Sequence, residues 1–301
     1  MSEMTSKLRS SSMSDLFLTV FCYVFLTLVI VITLYPFWEQ LVISISPREE
    51  ALAAGPHLFT LAPDFSAYKK ILNSTEVWRS FGNSTQRVIL AVIISVPLTS
   101  LTAYPLSKSY FPLGKLFTAL ILFTMLFSGG LIPTYLLMKN LHLIDKIWVL
   151  ILPNAITAYN LIIVRNFMKS LPQSLEESAR LDGANDFVIW RKIVLPLSLP
   201  VMATIALWVA VGNWNAYFDA LIYINDRDKF VLPVILRRIL IENQLDMFIG
   251  ENPDSVGMVM PTTEESKKAA LVMISILPIA MFYPFLQKYF SKGIMLGAVK
   301  G

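Results

Sequence analysis

Long apolar runs alternate with shorter polar ones along this chain. Residues 15–36 form a long apolar run, and further runs cover 84–106, 114–138, 147–168, 197–222 and 268–288. Crossing a hydrocarbon core takes roughly 20 apolar residues as a helix. Inside that core only a helix or a closed barrel satisfies its own backbone, so the pattern predicts six membrane-spanning helices and an all-α integral membrane protein. The first run is too long for a signal-peptide core and has no small-x-small cleavage site. It reads as an uncleaved span behind a cytoplasmic polar segment, 1–14, and residues 15–301 read as a single transmembrane domain.

Three polar stretches, 41–82, 139–146 and 223–267, then lie on the side opposite both termini. In the first, Asp64, Ala67, Tyr68, Ile71 and Leu72 predict one short amphipathic helix. Lys108, Lys115, Lys169, Arg191, Lys192, Lys288 and Lys292 hug the span ends on the other side. Basic residues in short loops set orientation, which puts that side in the cytoplasm.

One polar segment is unlike the loops. Residues 171–196 stand between two spans yet have a helical pattern. Ser174 and Glu177 have the spacing of a capping box. Asp182-Gly183 ends the first short helix, with Gly183 free to turn left-handed. Asn185 caps a second, Asp186–Ile193, whose Phe187, Trp190 and Ile193 share a face. Pro196 opens the next apolar run. Two short helices joined at a glycine form a unit for something outside the membrane to grip.

Polar residues also recur inside the spans. Arg87, Ala91, Ser95, Thr99 and Thr102 follow helical spacing in the second, and Trp208, Gly212, Asn215 and Asp219 in the fifth. Such stripes face protein or water rather than lipid. One reading is a hydrophilic solute path, with amides and carboxylates for sugar hydroxyls and Trp208 for stacking; the other is close helix packing through small and hydroxyl residues. The third run is interrupted by Ser128-Gly129-Gly130 and Pro133, which predict a kink.

Composition narrows the class. The 301 residues are 55% hydrophobic and only 15% charged, against about 25% charged in soluble domains. A net charge of +4 without a dense basic tract argues membrane orientation rather than nucleic-acid binding. One cysteine, Cys22, and two distant histidines, His57 and His142, leave no disulfide, metal cluster or histidine dyad to expect.

The run Glu177, Ala179, Asp182, Gly183, Ala184, Ile193, Leu195 and Pro196 resembles the EAA loop of ABC-importer permeases, with Ser178 where an alanine is usual. Phe127–Tyr135 resembles a signature of one branch of sugar permeases, which includes importers of alginate and pectin-type oligosaccharides. Tyr283-Pro284-Phe285, Gln287, Tyr289-Phe290, Lys292-Gly293 and 297–301 are similar to that family's C-terminal pattern. The resemblance implies a type I importer permease fold with Glu177, Ser178, Ala179, Asp182, Gly183, Ala184, Ile193, Leu195 and Pro196 as the ATPase-coupling surface. It implies as partners a second permease subunit, two cytoplasmic ATPase subunits and an extracytoplasmic solute-binding protein. The location implied is the bacterial inner membrane, and the cargo is an oligosaccharide, an acidic one being the narrower option.

No phosphate-binding loop is present; Leu113-Gly114-Lys115 lacks its upstream glycine and following hydroxyl. The chain is therefore expected to bind no cofactor and catalyse nothing, with ATP and Mg²⁺ on the partners. Ser95, Thr99, Trp208, Gly212, Asn215 and Asp219 are the solute-path candidates, and Arg87 and Arg165 the cations placed to meet a uronate. The rival is an ion-coupled carrier relaying protons through Asp219, against which no relay chain and no internal repeat stand.

Overall fold

The computed structural model describes residues 13–242 and 263–298, with side chains over 15–241 and 263–281. It is helical, with no strand among the described residues. Its contacts group into two units: among the described residues, 13–73 with 263–274, and 74–242 with 275–298.

The first unit is built on α1 (Met13–Ser44). Apolar side chains are exposed nearly all along it, as a helix bathed in lipid or covered by another subunit requires. Two of its threonines turn back on their own backbone, Thr19 Oγ1 donating to the Asp15 carbonyl at 2.7 Å and Thr33 Oγ1 to the Val29 carbonyl at 2.5 Å, the bonding that hydroxyls on an apolar helix need. After the short α2 (Arg48–Ala51) comes α3 (Ser66–Asn73), the amphipathic helix expected in this loop. Asp64 Oδ1 accepts from the Ser66 N–H at 2.8 Å, and Ala67 and Ile71 are buried. Ser44 Oγ lies 2.8 Å from Tyr68 Oη and ties α3 to α1. The unit closes with the start of α14 (Glu264–Ala298), where Ser266 and Ala270 are buried.

The second unit is organised around α4 (Thr75–Ser107). This helix begins nine residues before the apolar run at 84–106 because Ser74 caps it, accepting from Val77 N–H at 3.5 Å. Its buried stripe, Ser80, Ser84, Arg87, Ala91, Ser95, Thr99 and Ala103, is mostly small, so neighbours approach closely. Those neighbours are α8 (Ala158–Lys169) and α11 (Leu199–Asn215). Leu161, Val164, Met168, Met202, Ile205 and Val209 meet α4 in one core.

The third apolar run differs from a kinked span. It forms α5 (Gly114–Leu126) and α6 (Leu131–Asn140), bent by 114°. Gly130 makes the corner at φ +85°, a conformation costly for any side chain. Pro133 breaks nothing: it is the third residue of α6, where backbone donors have no helical partner. The fourth run likewise splits into α7 (Trp148–Ile151) and, past a short 3₁₀ stretch, α8, at 48°. Among the described residues two helices are long and apolar enough to cross a membrane, and the bent pairs raise that to as many as five.

The 223–267 stretch is not simply a polar loop. It holds α13 (Leu232–Glu242), whose Leu232, Val234, Ile235 and Ile239 are buried. The Leu232 N–H donates to Ser84 Oγ of α4 at 2.8 Å. Residues 243–262 and 299–301 lie outside the described residues, as do the side chains of the C-terminal motif from Tyr283 onward.

Candidate functional site

The polar segment between the spans folds as α9 (Gln173–Leu181) and α10 (Asp186–Ile189). The capping box does not form. Helix α9 starts two residues early, at Gln173, with Pro172 rather than Ser174 at the cap and no side-chain cap bond. Ser174 is thereby inside the helix, and the Ser178 hydroxyl donates to its carbonyl at 2.9 Å. The other end is built as expected. Gly183 takes φ +83°, its N–H reaches the Arg180 carbonyl at 3.0 Å and the Ala184 N–H reaches the Ala179 carbonyl at 2.9 Å. That pair of bonds is a Schellman turn, in which the residues flanking the turn usually share an apolar contact. Ala179 and Ala184 hold those two positions, and both pack on the core. The turn leaves Leu181 90% exposed at its tip, beside exposed Asp182.

Asn185 caps α10, its Oδ1 accepting from Val188 N–H at 2.9 Å. The helix then widens into a π turn, Trp190–Val194, and a last α turn, Leu195–Leu197. This extra residue per turn breaks the expected face. Ile189, Trp190 and Val194 are buried, whereas Phe187 is 57% exposed and Ile193 half-buried. Inside the protein, Trp190 Nε1 donates to Ser100 Oγ of α4 at 3.0 Å.

Charges complete the attachment. Arg180 donates to both Tyr110 and Asp186 and lies over the Tyr110 ring, while Tyr110 Oη donates to Asp186 Oδ1 at 2.9 Å. Burial, and then that bond to a carboxylate, push the Tyr110 hydroxyl above its ordinary pKa. Lys108 pairs with Glu176, and Arg165 Nε donates to the Leu106 carbonyl at 2.8 Å. The two short helices are thus bolted to the end of α4 and the turn after it. A cleft of about 730 Å³ lies between them, lined on one side by Gln173, Glu176, Glu177 and Arg180. Tyr110, Glu176, Arg180 and Asp186 escaped sequence reasoning. For Glu176 and Arg180 the available signal was the spacing 173, 176, 177, 180, which puts polar residues on one helix face; Tyr110 and Asp186 had none.

The solute-path candidates separate into two groups. Ser95 and Thr99 are buried within the chain. Trp208, Gly212 and Asn215 are exposed in a row along α11, with the Tyr159 and Trp208 rings 5.6 Å apart. Asp219 sits on α12 (Phe218–Tyr223), just past the break that ends α11. It is held by Arg87, which is only 2% exposed. Arg87 forks onto both carboxylate oxygens, one at 3.2 Å, and also reaches the Ala216 carbonyl and Asn213 Oδ1, each at 3.1 Å. Arg87 is therefore not a cation waiting for a uronate, whereas Arg165 donates only to neutral acceptors, the Leu106 carbonyl and Asn166 Oδ1. The sequence shows two opposite charges in apolar surroundings, but 132 positions separate them and no local pattern pairs them.

On the opposite face of the expected topology, Asp145 joins the 139–147 loop to the segment after α12. It accepts from the Asn225 and Asp226 N–H groups, the latter at 3.0 Å. Those backbone donors, Asp226 foremost, hold its carboxyl below the usual carboxylate range.

Comparison with known proteins follows the same lines. The profile of the family described as "Binding-protein-dependent transport system inner membrane component" matches residues 5–296. The polygalacturonan/rhamnogalacturonan transport system permease protein YtcP of Bacillus subtilis is 41% identical, over 93% of this chain and 96% of its own. Protein LplC of the same organism is 42% identical over 90% of each. A chain of a bacterial ABC transporter involved in import of the acidic polysaccharide alginate superposes with TM-score 0.86 and 32% identity, over 93% of this chain and 99% of that one.

Proposed function

The chain belongs to the family of binding-protein-dependent transport system inner membrane components, and from that premise we propose that it is one of two permease subunits of an ATP-driven importer of acidic oligosaccharides. In this reading it crosses the membrane six times with both termini in the cytoplasm, and it is itself non-catalytic. A pair of ATPase subunits supplies the energy, with ATP and Mg²⁺ on them, and a solute-binding protein delivers the sugar to the outer loops.

The observation that carries the proposal is the α9–Gly183–α10 unit. It is polar, its Leu181 and Asp182 project at an exposed tip, the Arg180–Asp186 pair ties its two helices together, and the Lys108–Glu176 pair and a buried tryptophan bond fix it to α4. A rigid lever of this kind transmits motion of a gripping partner to the helices behind it, as a nucleotide-biased two-state interface needs. Ser178, Ala179, Ala184, Ile193, Leu195 and Pro196 shape or seat the lever, and Glu177, Asp182 and Gly183 are its contact residues. Trp208, Gly212 and Asn215 offer stacking and amide chemistry to a sugar. An acidic cargo is supported by the relatives that carry polygalacturonan and alginate. The ion-coupled alternative is weakened by the Arg87 fork, which occupies both oxygens of Asp219.

The test is uptake of labelled oligogalacturonates by vesicles holding the chain with its co-purified ATPase and binding protein. Uptake should stop on ATP depletion and survive an uncoupler. Collapse with the uncoupler while ATP is present would overturn the proposal.

A further inference from the structure

The cleft beside α9 is more basic than a coupling lever needs. Five cations line it, Lys108, Lys115, Arg165, Lys169 and Arg180, against the carboxylates of Glu176 and Glu177. Lys108 is neutralised by Glu176, and Arg180 by Asp186. Arg165 spends its Nε on the Leu106 carbonyl and its Nη1 on Asn166 Oδ1 at 3.2 Å, both neutral acceptors, and so keeps its charge. Lys115 and Lys169 are exposed and make no ion pair among the described residues. Three uncompensated cations therefore face one carboxylate, Glu177.

Their positions matter as much as their number. Lys115 is the second residue of the apolar helix α5, and Lys169 the last of α8. Cations at the ends of apolar helices sit at headgroup depth. Next to Lys115, Leu113, Leu116, Phe117 and Leu120 are exposed and lead from the cleft along α5. A basic pocket between helix ends that opens onto an apolar track has the chemistry of a lipid headgroup site. We propose that this cleft binds the phosphate of an anionic phospholipid, with Lys115, Lys169 and Arg165 around the phosphodiester and the acyl chains along α5. An acidic side chain of a protein partner would suit the cations but leave the apolar track unused.

The proposal does not rest on the transport reading, so the full-length chain alone can test it. The chain is purified in a neutral detergent and offered equal phosphatidylglycerol and phosphatidylcholine, and retained lipid is read by native mass spectrometry. Wild type should retain phosphatidylglycerol in preference. Lys115→Gln/Lys169→Gln should lower that preference about tenfold or more. Arg191→Gln/Lys192→Gln, an equal loss of charge outside the cleft, should not change it, and circular dichroism confirms that both variants keep their helix content. Equal retention of the two lipids, or an unchanged preference in the lysine variant, would overturn the proposal. So would displacement of the lipid by millimolar inorganic phosphate, which would mark a site for a free anion only.

Discussion

Gly183 carries the turn between α9 and α10 by its backbone alone. A Cβ built there meets nothing within 4 Å, so space is no obstacle, but its φ of +83° is. A side chain in that region costs roughly 1–2 kcal/mol, and a β-branched one more. Gly183→Val should therefore uncouple solute-stimulated ATP hydrolysis in the reconstituted complex, whereas Gly183→Asn, whose residue tolerates the conformation, should keep most of it. Wild-type coupling in the valine variant would remove α9 and α10 from the coupling path. The Arg87–Asp219 fork makes a different demand. Arg87 is buried and Asp219 is 23% exposed, so removing Arg87 strands a partly desolvated charge, at a cost below the roughly 3–5 kcal/mol of a fully buried pair, while replacing both with apolar groups is often far cheaper. Arg87→Met alone should sharply reduce the yield and thermal stability of folded protein, and Arg87→Met/Asp219→Leu should recover much of it. Equal loss in both would show that Asp219 has a role beyond the pair. Each of these residues was visible in the sequence as an oddity. The glycine's geometry was legible because so few residues can end a helix that way, but the charge pair spans 132 positions and no local pattern links its members.

At the scale of elements, α9 and α11 each present one face that a partner or solute can use. Glu177 lines the cleft and is not part of a cap. Glu177→Gln therefore isolates its charge: helix content should stay at wild type while retention of the ATPase on purification falls severalfold. Unchanged retention would make Glu177 a bystander. On α11, Asn215→Leu should lower uptake while leaving complex assembly intact. Loss of assembly with normal transport in the surviving complexes would assign Asn215 to helix packing. The elements themselves were largely readable, since long apolar runs and a Schellman glycine are local signals. The break in the third run was readable only as a location. Gly129-Gly130 permits a corner, but the 114° angle depends on what α5 and α6 pack against. The π turn at Trp190–Val194 was not readable at all: no local pattern marks it, and its first residue, Trp190, bonds Ser100 across the core.

For the whole molecule, orientation is the property that decides which face meets which partner. In a Cys22→Ser background, single cysteines placed at Ser2 and Gly301 should resist an impermeant thiol reagent in intact cells, and cysteines at Asp64 and Asp246 should react. Labelling at Gly301 without labelling at Asp246 would invert the topology and move the α9–α10 unit outside.

What the sequence determined by itself was the kind of molecule and the place of its short polar helices. Solvent preference is a local property of side chains, so apolar runs at membrane length announce helices in lipid. The helix stop at Asp182-Gly183 is local too, being a matter of backbone strain over a few residues. The tertiary structure decided everything that depends on distant side chains meeting. It buried Ser95 and Thr99 while leaving Trp208, Gly212 and Asn215 on a surface. It closed Arg87 on Asp219, seated the polar helices on α4 through Trp190 and Lys108, and set α13 against Ser84 of α4. Each is a contact between residues far apart in the chain, and the energy that selects it exists only once the helices are packed.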